Sequence, residues 1–349
     1  MKRYLQTLAF FVVAMVVLPM ILSSAMNRTE PSVSDLTSNI ESEQSKNEIS
    51  KQTESDLSEE SKAPQADIDI TVLNTKAGKT ETIDLEALVS RVLYAEMPAS
   101  FEIEALKAQA VAIRSYIMYA VKHPRNDGVH DGADICTDYT HCVAYRTYED
   151  AVEAYGVITA DDTYCVMLDA AEQTKGMYVC YNGEPINAVF HGASFGRTES
   201  CANVWGGDVP YLVSVITPED KDEFAEKKTF LPSEFKILFE VADIGIEFGE
   251  IPRVWVGDMK KDESGRVDSI EICGTIVKGT AVRSALGLRS TNFTIEFVNG
   301  YFAVNTVGYG HGVGLSQYGA NVLAKQGKAY DEILTHYYVG TTVELGISN

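Results

Sequence analysis

Between Asn27 and Gln65 the chain has no aromatic residue and is dense in Ser, Glu, Lys, Asn and Thr. Such a tract cannot bury enough apolar surface to offset its chain entropy, so residues 27–65 are predicted to be a flexible, disordered linker. Ahead of it, Met1-Lys2-Arg3 is followed by an apolar run from Leu5 to Met26, broken by Gln6, Thr7, Pro19 and the Ser23-Ser24 pair. That run is long enough to span a bilayer as a transmembrane anchor, with its basic flank in the cytoplasm. Ser23-Ser24-Ala25 also offers the small-residue cleavage site of a secretory signal peptide, the competing reading of residues 1–26. Under both readings residues 66–349 form an extracytoplasmic domain, held away from the membrane by its linker.

Within the folded part, which begins near Ala66, the segment Thr82 to Pro98 has Leu85, Leu88, Val89, Val92 and Leu93 recurring at helical spacing. At about 100° per residue, Glu96 falls in the middle of this apolar stripe. Burying an ionised carboxylate is costly, and a helix C-terminus just before Pro98 adds an unfavourable dipole interaction. Both effects push the carboxyl pKa upward. A carboxyl that keeps its proton near neutral pH is what a general acid needs, and glycoside cleavage is its best known user. The bland reading is a Glu paired with a nearby Arg or frayed into solvent.

A second helix is predicted from an N-cap at Ser100 to about Val121, with Leu106, Ala110, Ile113 and Ile117 as its buried stripe. Lys107 and Arg114, seven positions apart, would share one basic flank facing Glu96. Beyond Pro124, His130, Cys136, His141 and Cys142 fall within thirteen positions and make a candidate tetrahedral zinc set. Their spacing matches no standard finger, adjoining His141 and Cys142 make convergence on one ion awkward, and free or disulfide-forming thiols are the competing reading. With all four positions filled by protein, such an ion is structural.

Tyr164–Leu168, Met177–Tyr181 and Pro185–Phe190 read as strands, the last two joined in a hairpin at Asn182-Gly183. The hairpin leads into a polar loop, His191 to Thr198. Residues from about 217 to 268 are charge-rich and irregular and read as a small insertion. Glycines around His311 imply a tight turn presenting one imidazole, followed by a helix from about Leu315, and Tyr337-Tyr338 close the chain near its end. A net charge of −21 excludes nucleic acid as a partner and tight adhesion to anionic lipid.

The stretches Val92–Pro98, Glu104–Tyr116, Asp134–Cys136, His191–Thr198, Trp205-Gly206, Pro210–Leu212, Leu288–Thr291, Gly310–Ala320 and His336–Tyr338 together resemble the family of stage II sporulation protein D and the related amidase-enhancer domains. They run in the family's order from about residue 80 to the end. The resemblance implies a lytic transglycosylase in the mother-cell membrane, facing the intermembrane space. It would cut the MurNAc-GlcNAc bond of peptidoglycan glycan strands during forespore engulfment, leaving 1,6-anhydro ends, and act on strands that a cell-wall amidase has denuded. Glu96 matches the family's catalytic acid, and Arg114 with the Tyr337-Tyr338 pair matches positions important for activity.

Lys107 and Arg114 would then orient Glu96 or an N-acetyl or lactyl group, the two tyrosines would pack on a sugar, and His191, Ser194, Thr198 and His311 would bind sugar. The loop departs from the family pattern at Gly192 and Phe195, which puts its hydroxyls in doubt. The zinc set rests on ligand chemistry, not on the resemblance. Two other readings stand beside the enzyme: a non-catalytic glycan-binding enhancer of the amidase, and a zinc hydrolase built on His130 and its neighbours. The expected fold class is mixed α/β (α+β), with the helices around Glu96 packed on a mainly antiparallel sheet and a long groove for an extended polymer.

Overall fold

The structure, a computed structural model, describes residues 68–346 except 126, 131 and 220–223. The Leu5–Met26 run and the linker lie outside the described residues. No helix among the described residues is long and apolar enough to cross a membrane.

Strands β1 (Asp69–Asn74) and β2 (Lys79–Asp84) pair antiparallel and feed directly into helix α1 (Leu85–Glu96). The Asp84 side chain caps that helix by accepting from the amides of Glu86 and Ala87, and Met97 leaves it in extended conformation ahead of Pro98. Every member of the predicted stripe, Leu85, Leu88, Val89, Val92 and Leu93, is buried. Helix α2 (Ile103–Lys122) starts three residues later than Ser100; its Glu102 cap residue has no side-chain cap and gives its amide to Asn321 Oδ1, 2.8 Å away.

Helix α2 is the axis of the main core. Apart from Lys107 it is buried continuously from Ala105 to Met118, because other elements pack around it. These are α1, α4 (Val157–Gln173, which follows β3, Ile135–Cys136, and α3, Tyr148–Tyr155), strand β4 (Met177–Tyr181), and the helices Gln317–Lys325 and Tyr330–Tyr337. Tyr164–Leu168, expected as a strand, lies inside α4. Its inward positions Ala160, Met167, Ala170 and Ala171 recur at helical intervals and are buried. The turn is as expected: β4 pairs with β5 (Glu184–Pro185) across Asn182 and Gly183, both with positive φ as a two-residue turn requires. The strand read over Pro185–Phe190 ends at Pro185, since residues 186–189 form no strand and Phe190–His191 pairs elsewhere.

The sheets are small and mostly antiparallel, so the fold is mixed α+β. The exceptions are short parallel pairings, of β1 with β3 and of Phe190–His191 with Leu315–Ser316. A second hydrophobic cluster gathers Phe235, Phe239, Trp255, Ile270, Phe293 and Phe302 with neighbours as far as Val304. It is built on two three-stranded antiparallel sheets, one of Val256–Lys278 and one joining Ala225–Phe230 to Phe293–Val307. This body extends past the 217–268 stretch read as an insertion.

Candidate active site

A cleft of about 550 Å³ opens at the C-terminal end of α1. Its walls come from Ala95 and Glu96, Tyr116, Arg125, the segment Tyr139–Cys142 with Ala144, the segment Val189–Gly192, Trp205, the turn Tyr309–His311, and Gln317. Two glycines let the turn and the segment meet. A Cβ on Gly310 (φ 105°) would approach His191 Cβ to 2.8 Å, and one on Gly314 (φ 73°) would lie 2.0 Å from the Val189 carbonyl oxygen.

Glu96 is half-buried and faces this cleft. Its Oε1 accepts from the Ala144 amide at 3.1 Å and its Oε2 from Gln317 Nε2 at 3.2 Å. Burial raises its pKa, and these two hydrogen bonds pull the other way without cancelling that effect. Among the described residues lining the cleft, Glu96 is the only carboxylate.

Of the other residues singled out in the sequence, His191 and His311 reach the same cleft. Burial holds His311 down to about 4, with Arg283 adding repulsion, and pushes His191 well below its usual range, with His311 and Arg266 beside it. Both imidazoles are therefore neutral near neutral pH. His191 Nδ1 donates to the Val313 carbonyl at 3.1 Å, which leaves Nε2 to accept from the Ser194 hydroxyl at 2.7 Å; this tautomer is assigned from the partners.

Ser194 and Thr198 sit behind that wall. Ser194 is fully buried, accepts from Arg266 Nη2 at 2.7 Å and gives its amide to Glu219. Thr198 Oγ1 accepts from the Val215 amide at 2.9 Å.

Arg114, Lys107 and the tyrosine pair do not join Glu96. Since α2 has almost no solvent flank, Arg114 is wholly buried and faces the other end of α1. There its Nε and Nη2 hold both oxygens of Glu86 at 2.9 and 2.5 Å, and it also donates to the carbonyls of Met177 and Ala171. Lys107 pairs with Glu104 at 2.8 Å and lies over the Tyr330 ring. Tyr337 and Tyr338 are 0% exposed, so no sugar reaches their faces. The Tyr337 hydroxyl meets Thr217 Oγ1 at 2.8 Å, and that of Tyr338 donates to the Val189 carbonyl at 2.9 Å, bracing the cleft segment from behind.

Sequence reasoning missed the aromatic rings that do line the cleft. Tyr139, Trp205 and Tyr309 are 78%, 53% and 55% exposed there, and the Trp205 ring lies 4.9 Å from that of His311. The signal was present: Trp205 is one of two tryptophans, and Tyr309 stands in the glycine-rich turn. Gln317, which holds Glu96, opens the helix after that turn.

Two members of the His/Cys set, His141 and Cys142, line the cleft. His130 Nε2, His141 Nδ1 and Cys142 Sγ lie within 4.8 Å of one another. Cys142 Sγ is 3.7 Å from His130 Nε2 and 3.3 Å from His141 Nδ1, and Cys136 Sγ is 3.4 Å from His141 Nδ1. Bonds of about 2.0–2.3 Å to a tetrahedral zinc imply ligand atoms about 3.3–3.8 Å apart, the spacing at which Cys142 stands from His130 and His141, whereas Cys136 lies outside that three-residue group. The far ring nitrogens are anchored too, His130 Nδ1 to the Ala133 carbonyl and His141 Nε2 to Asp127, each at 2.9 Å. Adjacency of His141 and Cys142 is no obstacle, because His141 turns its near nitrogen inward. Burial pushes the Cys142 thiol up to about 11, a direction a bound cation reverses.

The fold and cleft define a mixed α+β protein in which one half-buried carboxyl, the only one among the described residues lining the cleft, faces an aromatic-rimmed groove. A family model described as stage II sporulation protein matches residues 73–181. The stage II sporulation protein D of Bacillus subtilis (strain 168) is 35% identical over 281 residues, covering 79% of each chain, and that of Bacillus amyloliquefaciens is 32% identical over 287 residues, covering 80% of this chain and 79% of its own. The amidase enhancer of Bacillus subtilis (strain 168) is 27% identical over 300 residues, 71% of this chain and 39% of that one. The chain belongs to the stage II sporulation protein D family.

Proposed function

We propose that the protein is a lytic transglycosylase that cuts the MurNAc-GlcNAc bond of peptidoglycan strands denuded by a cell-wall amidase during engulfment, anchored to the membrane through residues 1–26. The observation that carries this reading is that Glu96 is the only carboxyl among the described residues lining the cleft. Glycoside hydrolases use two carboxylates, one as acid and one as base or nucleophile. A transglycosylase needs one, because the C6 hydroxyl of the muramic residue replaces water. Glu96 gives its proton to the glycosidic oxygen as the C1–O bond breaks. The resulting carboxylate then takes the C6 hydroxyl proton as that oxygen bonds to C1, closing the 1,6-anhydro ring and restoring the acid. Ala144 and Gln317 aim the carboxyl, and Tyr139, Trp205 and Tyr309 offer ring faces to the sugars.

His130, Cys136, His141 and Cys142 would hold one zinc ion, which supplies cross-linking of the Arg125–Ala144 wall and no step of the chemistry. Digestion of denuded strands by wild type and Glu96→Gln, read by mass spectrometry, tests the reaction. Anhydro ends from wild type alone are expected, whereas reducing ends reject transglycosylation and full activity of the variant rejects Glu96. The likeness to an amidase enhancer supports a second reading, a non-catalytic glycan binder that stimulates the amidase. Stimulation by a Glu96→Ala protein that cuts nothing would separate the two roles.

A further inference from the structure

A second groove, of about 490 Å³, borders the first. Three stretches of chain lead from one to the other. On α2, Tyr116 lines the Glu96 cleft and Tyr119, about 4.5 Å further along the axis, lines the second groove. At the C-terminal end of α2, Lys122 and His123 line the second groove and Arg125, just beyond, the cleft; Ile186 and Val189 divide in the same way.

Four of the residues lining the second groove carry rings: Tyr119, His123 and Tyr181 are partly or fully exposed, and Tyr211 is buried. Tyr119 stacks on His123 with centroids 4.2 Å apart and planes 21° from parallel, and Tyr181 lies 5.5 Å from Tyr211. One polar pair, Lys122 with Glu184, stands at the rim beside them. Flat apolar faces edged by donors and acceptors suit a pyranose ring, which offers C–H groups on its faces and hydroxyls around its rim.

We propose that the Tyr119–Tyr181–Tyr211 groove is a distal subsite for the same glycan strand, holding sugars beyond those that flank the bond at Glu96. The inference rests on the glycan reading of the cleft and adds a length preference to it. A strand that spans both grooves gains the second set of contacts without a second loss of translational freedom, so long strands bind better than short ones. Denuded strands also carry a lactyl carboxylate on each muramic residue, which Lys122 can meet when its exposed pair with Glu184 opens.

The test uses the full chain in detergent, carrying Glu96→Gln so that binding is read without cleavage, and denuded strands fractionated by length. Against this background, Tyr119→Ala and Tyr181→Ala are each expected to lower the ratio of long-strand to short-strand affinity roughly tenfold, the scale of one lost ring contact. Tyr119→Phe, which keeps the ring, restores the ratio. If Tyr119→Ala loses its melting transition, Tyr181→Ala carries the measurement. An unchanged ratio in folded alanine variants overturns the subsite. A ratio that falls as expected while wild type cuts no strand leaves the subsite standing and removes the cleavage reading, and wild-type cutting with an unmoved ratio does the reverse.

Discussion

The two ends of α1 each carry a glutamate, and their surroundings are opposite. Glu86 stands in the first turn, where the helix dipole favours negative charge, and both its oxygens are gripped by a fully buried Arg114 and one by the Gly176 amide at 3.2 Å. Glu96 stands at the last residue, where the dipole opposes charge, and among the described residues receives an amide and a carboxamide. One carboxylate is satisfied and spent on holding α1 to α2. The other is kept short of positive charge, so burial raises its pKa. The same residue type on one helix thus serves structure at one end and, in the proposed function, chemistry at the other.

The largest effect expected from that contrast is on rate. Glu96→Gln keeps the shape and the cleft but removes the proton, and should cut strand cleavage by roughly 10²–10⁴-fold, the contribution of a positioned general acid. Its melting temperature should not fall. Arg114→Ala should do the opposite. Leaving Glu86 without its buried partner should cost roughly 3–5 kcal/mol in denaturant unfolding, with the turnover of the remaining folded protein close to wild type. Lysine at 114 should not restore stability, since it cannot hold both carboxylate oxygens and two carbonyls at once. An Arg114→Ala protein of normal stability and no turnover would break the comparison, because it would place Arg114 in the reaction.

How far the sequence revealed this contrast depends on what each signal encodes. Helical periodicity reports which face of one helix is apolar, so Glu96 could be found among Leu88, Val92 and Leu93. It does not report that α2 is surrounded, so Arg114 and Lys107 read as one basic flank facing Glu96, whereas Arg114 is fully buried against Glu86 and only Lys107 of the two escapes full burial. Tyr337 and Tyr338 sit in a legible motif, yet their depth is set by elements far away in sequence, including Thr217 and Val189. Tyr164–Leu168 misled because a short apolar run has no period of its own; the flanking Ala160 and Ala170-Ala171 decide for helix. Ligand chemistry singled out His130, Cys136, His141 and Cys142, whereas the closeness of three of them and the anchors at Asp127 and Ala133 needed the loop to fold.

Two pH experiments sharpen the Glu96 side, with smaller effects. Because its folded pKa is raised above the unfolded glutamate value of about 4.3, the folded protein binds that proton more tightly than the unfolded chain. Stability from this group is complete below the unfolded value and is lost as pH rises through the folded one. Urea midpoints of wild type should therefore decline over that window relative to Glu96→Gln, and parallel profiles would mean that Glu96 is not buried as described.

The smallest change is Gln317→Leu. The Gln317 amide favours the charged form of Glu96, so its loss should raise the Glu96 pKa further and move the alkaline limb of the rate profile to higher pH. At low pH, where the acid is protonated in both proteins, the loss of one aiming contact should slow cleavage roughly 2–10-fold, the net worth of a single hydrogen bond. A limb that moves down instead would mean that another donor takes over Oε2. The charge-poor end of α1 would then depend on the Ala144 wall more than on the helix that Gln317 begins.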